Sequence, residues 1–258
     1  MAPNSPTPQF FRRDFLVGSV AGSVAVSTPS LVKRLLRPGL NMEEVNLSYA
    51  QSGEDVIAKL FFEELRVARP TYLDVGAFLP AFANNTYLFY REGSRGVLVE
   101  PNVDLVPDLR SRRPGDTVLN VGIGLTDQAS AEYYRLSLPQ WNTFDRQEAE
   151  RRVQKTKGGV VLEGVVKMPL VPINRILAEH FPNGGPDFLS VDIESLDLAV
   201  LRTLDFTRFR PKMICTETLV HLTLAMGSET TPFLASHGYE VRGMTFANTL
   251  YVDSKLLA

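Results

Sequence analysis

From Ser48 onward, short apolar runs alternate with stretches whose apolar residues recur every three or four positions. Val56, Ile57, Leu60, Phe61 and Leu65 share one face of a helix predicted over 53–68, which Pro70 stops. Apolar runs at 72–75, 96–100, 117–120, 188–192 and 213–217 are short and nearly continuous, as strands buried on both faces are. Helical spacing fills the intervals at 102–112, 173–180, 196–204 and 231–237, the last with Pro232 in its first turn. Strand, helix, strand repetition predicts an α/β, doubly wound, mostly parallel Rossmann-like sheet. Two final runs, 239–244 and 249–253, are separated only by Thr245 to Asn248 and predict an antiparallel C-terminal hairpin.

Composition narrows the field. At 258 residues with 44% apolar and 22% charged residues, the chain can bury a sizeable core unaided. Twenty-seven Lys and Arg against 29 Asp and Glu leave a formal charge of −2, which gives no basic footprint for nucleic acid. One cysteine, Cys215, excludes an internal disulfide and any multi-thiolate zinc site, and its mid-strand position reads as core. No apolar run reaches the ~20 residues that span a bilayer, so stable membrane insertion is not expected.

Residues 1–40 read as a leader and 41–258 as the folded domain, with a lid-like connection at about 125–171. The leader holds Arg12-Arg13-Asp14-Phe15-Leu16 before a mildly apolar stretch, 17–26, which resembles a twin-arginine export signal. The other reading is a loosely docked leader on a cytoplasmic protein, and that is the expected localisation. Within the connection, 144–157 is helical in pattern and mixed in charge, and Gly158-Gly159 ends it.

Ligands of such sheets sit at the carboxyl ends of the strands. The first strand ends Asp74-Val75-Gly76-Ala77, and the second ends in Glu100, 24 positions after Gly76. That is near the ~20-residue spacing at which an acidic side chain meets a nucleoside ribose. Two charge-assisted bonds to the ribose hydroxyls are worth roughly 2–4 kcal/mol. The loop after Gly76, Ala77-Phe78-Leu79-Pro80-Ala81-Phe82, lacks the glycines that let amides crowd a pyrophosphate. A nucleoside without phosphates fits better, of which S-adenosylmethionine is the common one. An oxidoreductase using a nicotinamide cofactor is the weaker enzyme reading, and an exported, non-catalytic Rossmann-like binding protein is the other alternative.

The pieces Tyr49-Ala50-Gln51-Ser52-Gly53-Glu54-Asp55, Leu73-Asp74-Val75-Gly76-Ala77 with Pro80 and Asn84-Asn85-Thr86, the stretch 93–102, and Leu189-Ser190-Val191-Asp192-Ile193-Glu194 stand in the order of FkbM-type methyltransferases, which the chain resembles over 48–253. Asn84 stands where Ser is common, and Ser195 where Gly usually follows. The resemblance implies a seven-stranded methyltransferase sheet, S-adenosylmethionine as cofactor, and methyl transfer to a hydroxyl, often on a sugar, glycan or natural product. It implies that Asp74, Gly76 and Ala77 line the methionine end, that Asn85 and Thr86 donate to the carboxylate, and that Glu100 takes the ribose. Pro101, Asn102, Asn120 and Val121 would shape the adenine side. Helix capping is the alternative for Asn85 and Thr86, and backbone satisfaction for Asn120 and Val121.

An activated sulfonium leaves the protein to align the nucleophile and remove a proton. Asp192 and Glu194, two apart on a strand, project on one side and form a candidate base and its orienting partner, or oxygen ligands for a divalent metal. The alternative is that they hold the turn and cap the next helix. His221 is a further catalytic candidate and Glu217 an acceptor contact. Trp141, the single tryptophan, flanked by Asn142 and Thr143, suits stacking on a sugar face, or else packs the connection down.

Overall fold

The computed structural model describes residues 47–193, 196–220, 225–226 and 229–257, with side chains described outside 219–228. The leader with Arg12-Arg13 lies outside them, as do Glu194, Ser195 and His221. The chain divides after Val45, and the fold is that of the second unit, Asn46–Ala258.

Helix α1 (Glu54–Glu64) precedes β1 (Tyr72–Val75), α2 (Tyr87–Arg91), β2 (Gly96–Val99), α3 (Val106–Arg112) and β3 (Thr117–Leu119). An inserted block follows: β4 (Gly122–Gly124), β5 (Ser130–Leu136), a 3-10 turn at Pro139–Trp141, α4 (Arg146–Lys155) and β6 (Leu162–Pro172). Then come α5 (Ile173–His180), β7 (Phe188–Val191), α6 (Asp197–Thr203) and β8 (Met213–Glu217). A short pair, β9 (Leu219–Val220) and β10 (Ala225–Met226), leads to α7 (Thr230–Ser236), β11 (Tyr239–Met244) and β12 (Asn248–Asp253).

The main sheet has seven strands in the order β11-β12-β8-β7-β1-β2-β3. β12 runs against both neighbours, and every other pairing in the sheet is parallel. Alternation along each strand feeds two cores. Leu73, Val75, Val97, Leu189, Val191, Ile214 and Tyr251 point to one face, covered by α5, α6 and α7 through Ile176, Leu177, Val200, Leu201 and Leu234. Tyr72, Leu98, Phe188, Met213, Cys215 and Leu250 point to the other, covered by α1, α2 and α3 through Ala58, Phe62, Phe89, Val106 and Leu109. A sheet buried on both faces explains runs with no polar alternation. Cys215 is core, as its position predicts.

The inserted block departs from the sequence reading of 125–171, which anticipates only its helix. β5 and β6 pair antiparallel over their length, and the end of β6 pairs parallel with β4, forming a separate three-stranded sheet. No helix among the described residues is long and apolar enough to cross a membrane.

Candidate functional site

The chain leaves β1 outward to β2 and β3, then returns to β7 on the opposite side of β1, so the strand order reverses between β1 and β7. In sheets of this kind the ligand sits at such a reversal, beyond the carboxyl ends of the strands. Gly76 lies there at φ +87, and a Cβ on it would fall on the carbonyl oxygen of Asp192, just past β7. Backbone of the two loops thus touches, which only glycine permits. The N–H groups of Gly76 and Ala77 both donate to Val99 O (3.0 and 3.2 Å), folding the loop across the end of β2.

Glu100 stands beside that loop, 4% exposed. Its Oε2 accepts from the Phe78 N–H (2.9 Å) and its Oε1 from the Asn102 N–H (2.7 Å). A carboxylate offers about four acceptor directions, so capacity remains for further donors. Burial pushes its carboxyl up to about 7, against the pull of the two N–H donors, with Asp74 adding to the rise. Asn120 donates from Nδ2 to the carbonyls of Glu100 and Pro101 (2.8 and 3.0 Å), so its amide holds this turn. Asn102 is buried, and its Oδ1 accepts from the Asp104 N–H. Val121 packs against the core.

Asp74 is buried in a polar knot: Oδ2 accepts from Thr86 Oγ1 (2.8 Å) and Asn84 Nδ2 (3.2 Å). Helix α2 has only five residues, and the Thr86 side chain makes no capping bond to it. Asn85 donates to Ser190 Oγ (3.1 Å) on β7. Asn84 N–H donates to Tyr49 O, which ties the segment before α1 to the same loop. Asp55 holds that segment, accepting from Ser48 Oγ and from the N–H groups of Tyr49 and Ala50.

The ladder register shows how the helix-covered face changes from apolar to polar toward this edge. Tyr72, Phe188, Met213 and Val252 form one row, and Asp74, Ser190, Cys215 and Leu250 the next. One step further, Glu217 faces Asn248 across β8 and β12, and Asp192 follows the last residue of β7. Asn248 Nδ2 donates to Glu54 Oε1 (2.9 Å), which also accepts from Thr245 Oγ1 (2.7 Å). Asp192 is half-buried and Glu217 half-buried, at the ends of neighbouring strands. Among the described residues, no group of three or more His, Cys, Asp or Glu side chains is placed to hold a metal.

Trp141 lies in the inserted block, half-buried, with its carbonyl accepting from Arg152 Nη1 (2.7 Å). Asn142 Oδ1 accepts from the Leu136 N–H, and Thr143 bridges Tyr134 through both backbone groups, so these two fasten the turn to β5. The structure therefore gathers Asp74, Gly76, Ala77, Glu100, Pro101, Asn102, Asn120 and Asp192 about the switch point, while the turn at 141–143 belongs to the inserted block. Sequence reasoning passes over Glu54 and Asn248 as members of these networks, and over the buried Arg113, which donates to Asn84 Oδ1 and Thr86 Oγ1 beside Asp74. Glu54 lies within a quoted motif, which was its one signal; Arg113 had none, since a basic residue ending a helix reads as ordinary.

A family model described as "Methyltransferase FkbM domain" matches residues 74–241. No curated protein matches the chain. Among solved structures, magnesium protoporphyrin IX methyltransferase from Synechocystis with bound SAH is similar at 10% identity, over 78% of this chain and 81% of that one, with a TM-score of 0.43. A methyltransferase from Geobacter sulfurreducens shares 12% identity over 87% and 93%, TM-score 0.42. A TehB-like SAM-dependent methyltransferase from Corynebacterium glutamicum shares 9% over 87% and 95%, TM-score 0.39.

Proposed function

The chain belongs to the FkbM methyltransferase family, whose methyl donor is S-adenosylmethionine, and from that premise we propose that it methylates a hydroxyl oxygen on a sugar, glycan or natural-product acceptor. The observation that carries the donor's placement is Glu100: a buried carboxylate at the end of β2, beside the Gly76 loop, with acceptor capacity left over. Ribose hydroxyls are donors of the right kind for it. Gly76 supports the same reading, because its bare backbone lets the loops after β1 and β7 meet at the carboxyl edge. Asp74 and Ala77 then border the methionine end, Asn85 its carboxylate, and Pro101, Asn102, Asn120 and Val121 the base; the fully buried Thr86 gives its hydroxyl proton to Asp74 and reaches the donor through it.

When bound, the donor supplies a sulfonium-activated methyl group. The chain's part is to bring the acceptor hydroxyl into line and take its proton. Asp192, at the end of the strand that faces Gly76, is the base in this reading, and Glu217 on the neighbouring strand contacts the acceptor. Glu194 and His221 remain candidates for the same work. Trp141 offers a face to the acceptor's sugar ring, with Asn142 and Thr143 holding its turn.

Calorimetric titration of S-adenosylhomocysteine into the wild type and Glu100→Ala tests the donor site. Micromolar binding, about −8 kcal/mol, weakened about 30- to 1000-fold in the variant, is the expected result. A folded wild type that binds nothing overturns the reading. Proton NMR of a product carrying a new O-methyl signal, in place of an N- or C-methyl, tests the acceptor class.

A further inference from the structure

Arg113, just past α3, is the largest of the fully buried side chains and carries a full charge. Its Nε donates to Asp116 Oδ2 (2.7 Å), and both side chains are sealed from solvent. Removing two charges from water is expensive, and an apolar pair of similar volume is often as stable or more so, so the ion pair is weak as a device for stability alone. The rest of the guanidinium points toward the switch point. Nη1 donates to Asn84 Oδ1 (3.0 Å), and Nη2 donates to Thr86 Oγ1 (3.0 Å) and to the Tyr72 hydroxyl (2.9 Å).

The Thr86 hydroxyl has one proton and two acceptors within reach, Asp74 Oδ2 and Asn84 Oδ1 (3.1 Å). A guanidinium only donates, so Thr86 Oγ1 accepts from it; Asn84 Oδ1 already takes Arg113 Nη1 and the Thr86 N–H, and the Thr86 proton goes to the nearer, charged Asp74 Oδ2 (2.8 Å). Asn84 is oriented in the same way, with Oδ1 held by Arg113 and Nδ2 donating to Asp74 Oδ2 (3.2 Å) and Ala77 O (2.9 Å). Two donors therefore converge on one oxygen of Asp74, each set by the same buried cation. Such an arrangement favours the carboxylate over the carboxylic acid.

We propose that Arg113 is a positioning residue for the methyl donor: acting through Thr86 and Asn84, it keeps Asp74 charged and fixed to meet the ammonium of the donor's methionine end. The inference rests on the donor reading above. Burial pushes the Asp74 carboxyl up, and Arg113 followed by Thr86, Asn84 and Ser190 pulls it back. The other charged or titratable groups around it are Glu100 past β2, Cys215 on β8, and Asp116 and Tyr72 beside Arg113. Arg113 is the cation among them.

S-adenosylhomocysteine keeps the ammonium and serves as the probe. Its affinity is measured by calorimetry between pH 5.5 and 8 for the wild type, for Thr86→Val, and for Arg113→Met combined with Asp116→Asn, which strands neither charge. Thermal unfolding of the unliganded proteins reports the fold separately. At least tenfold weaker binding at pH 7 is expected for both variants. The wild-type affinity should fall as pH drops through about 7, where Glu100 protonates, and more steeply in the variants, where the Asp74 carboxyl has lost groups that pull it down. In an Asp74→Asn background, Thr86→Val should add no further loss. If the double variant does not fold, Thr86→Val alone decides. A wild type that binds tightly, with folded Thr86→Val within threefold of it and the same pH slope, overturns the inference; a folded wild type that binds no probe overturns the donor reading instead.

Discussion

Gly76 and Glu100 show how much of the site single residues announce. Both close a strand, where an apolar run gives way to a glycine or an acid, so their positions follow from the run lengths alone. Gly76 has a sharp consequence: Gly76→Ala must hold an L residue at φ +87 and press a methyl onto Asp192 O. A loss of at least ~2 kcal/mol is expected, lowering the unfolding temperature by about 5 °C or more, with S-adenosylhomocysteine binding abolished. Glu100 makes stability depend on pH. Its carboxyl lies at about 7 when folded against 4.5 ordinarily, so the folded chain holds more protons between those values. The contribution of Glu100 to stability is then greatest below about 4.5 and is lost as pH rises through about 7, by up to ~3 kcal/mol. Asp55 and Asp74, also pushed up by burial, act in the same direction. Thermal unfolding of the unliganded protein should give a higher midpoint at pH 5.5 than at pH 8, and a flat profile would contradict the account. With the ribose on Glu100, as proposed, binding of the probe should have the opposite pH dependence, because hydroxyl donors favour the charged form. Arg113 was illegible for a different reason: its partners Asn84, Thr86 and Tyr72 are 29, 27 and 41 positions away, and no local period records such bonds.

Elements of the main sheet were legible because each is buried on both faces or on one helical stripe. α5 runs 173–180 and β11 runs 239–244, as their spacing predicts. β5 and β6 were missed on physical grounds. They are joined through a helix rather than a tight turn, β6 carries Gly164, Pro169 and Pro172, and its exposed Leu162 and Val165 break the alternation. Within the same block, α4 is started by Asp145, whose Oδ1 accepts from the N–H groups of Gln147 and Glu148 (2.8 and 3.2 Å). Asp145→Ala should cost about 1 kcal/mol in chemical denaturation. It should leave S-adenosylhomocysteine affinity unchanged, since nothing in α4 borders the switch point.

At the scale of the whole molecule, the reversal of strand order between β1 and β7 is what turns scattered motifs into a site. Residues 74–76, 100 and 192 come from three excursions of the chain and meet because β1 lies between β2 and β7. The family match over 74–241 covers this meeting place. The C-terminal hairpin adds a constraint on how the molecule is made. β12 lies between β8 and β11, although it follows both in the chain. Glu54, at the start of α1, is anchored by Thr245 and Asn248, 191 and 194 positions later. During synthesis, the edge of β8 stays open and the Glu54 carboxylate lacks both side-chain donors until the final turn has left the ribosome. The first helix and this hairpin thus lock together, and the carboxyl-end edge of the sheet cannot set until β12 has been made.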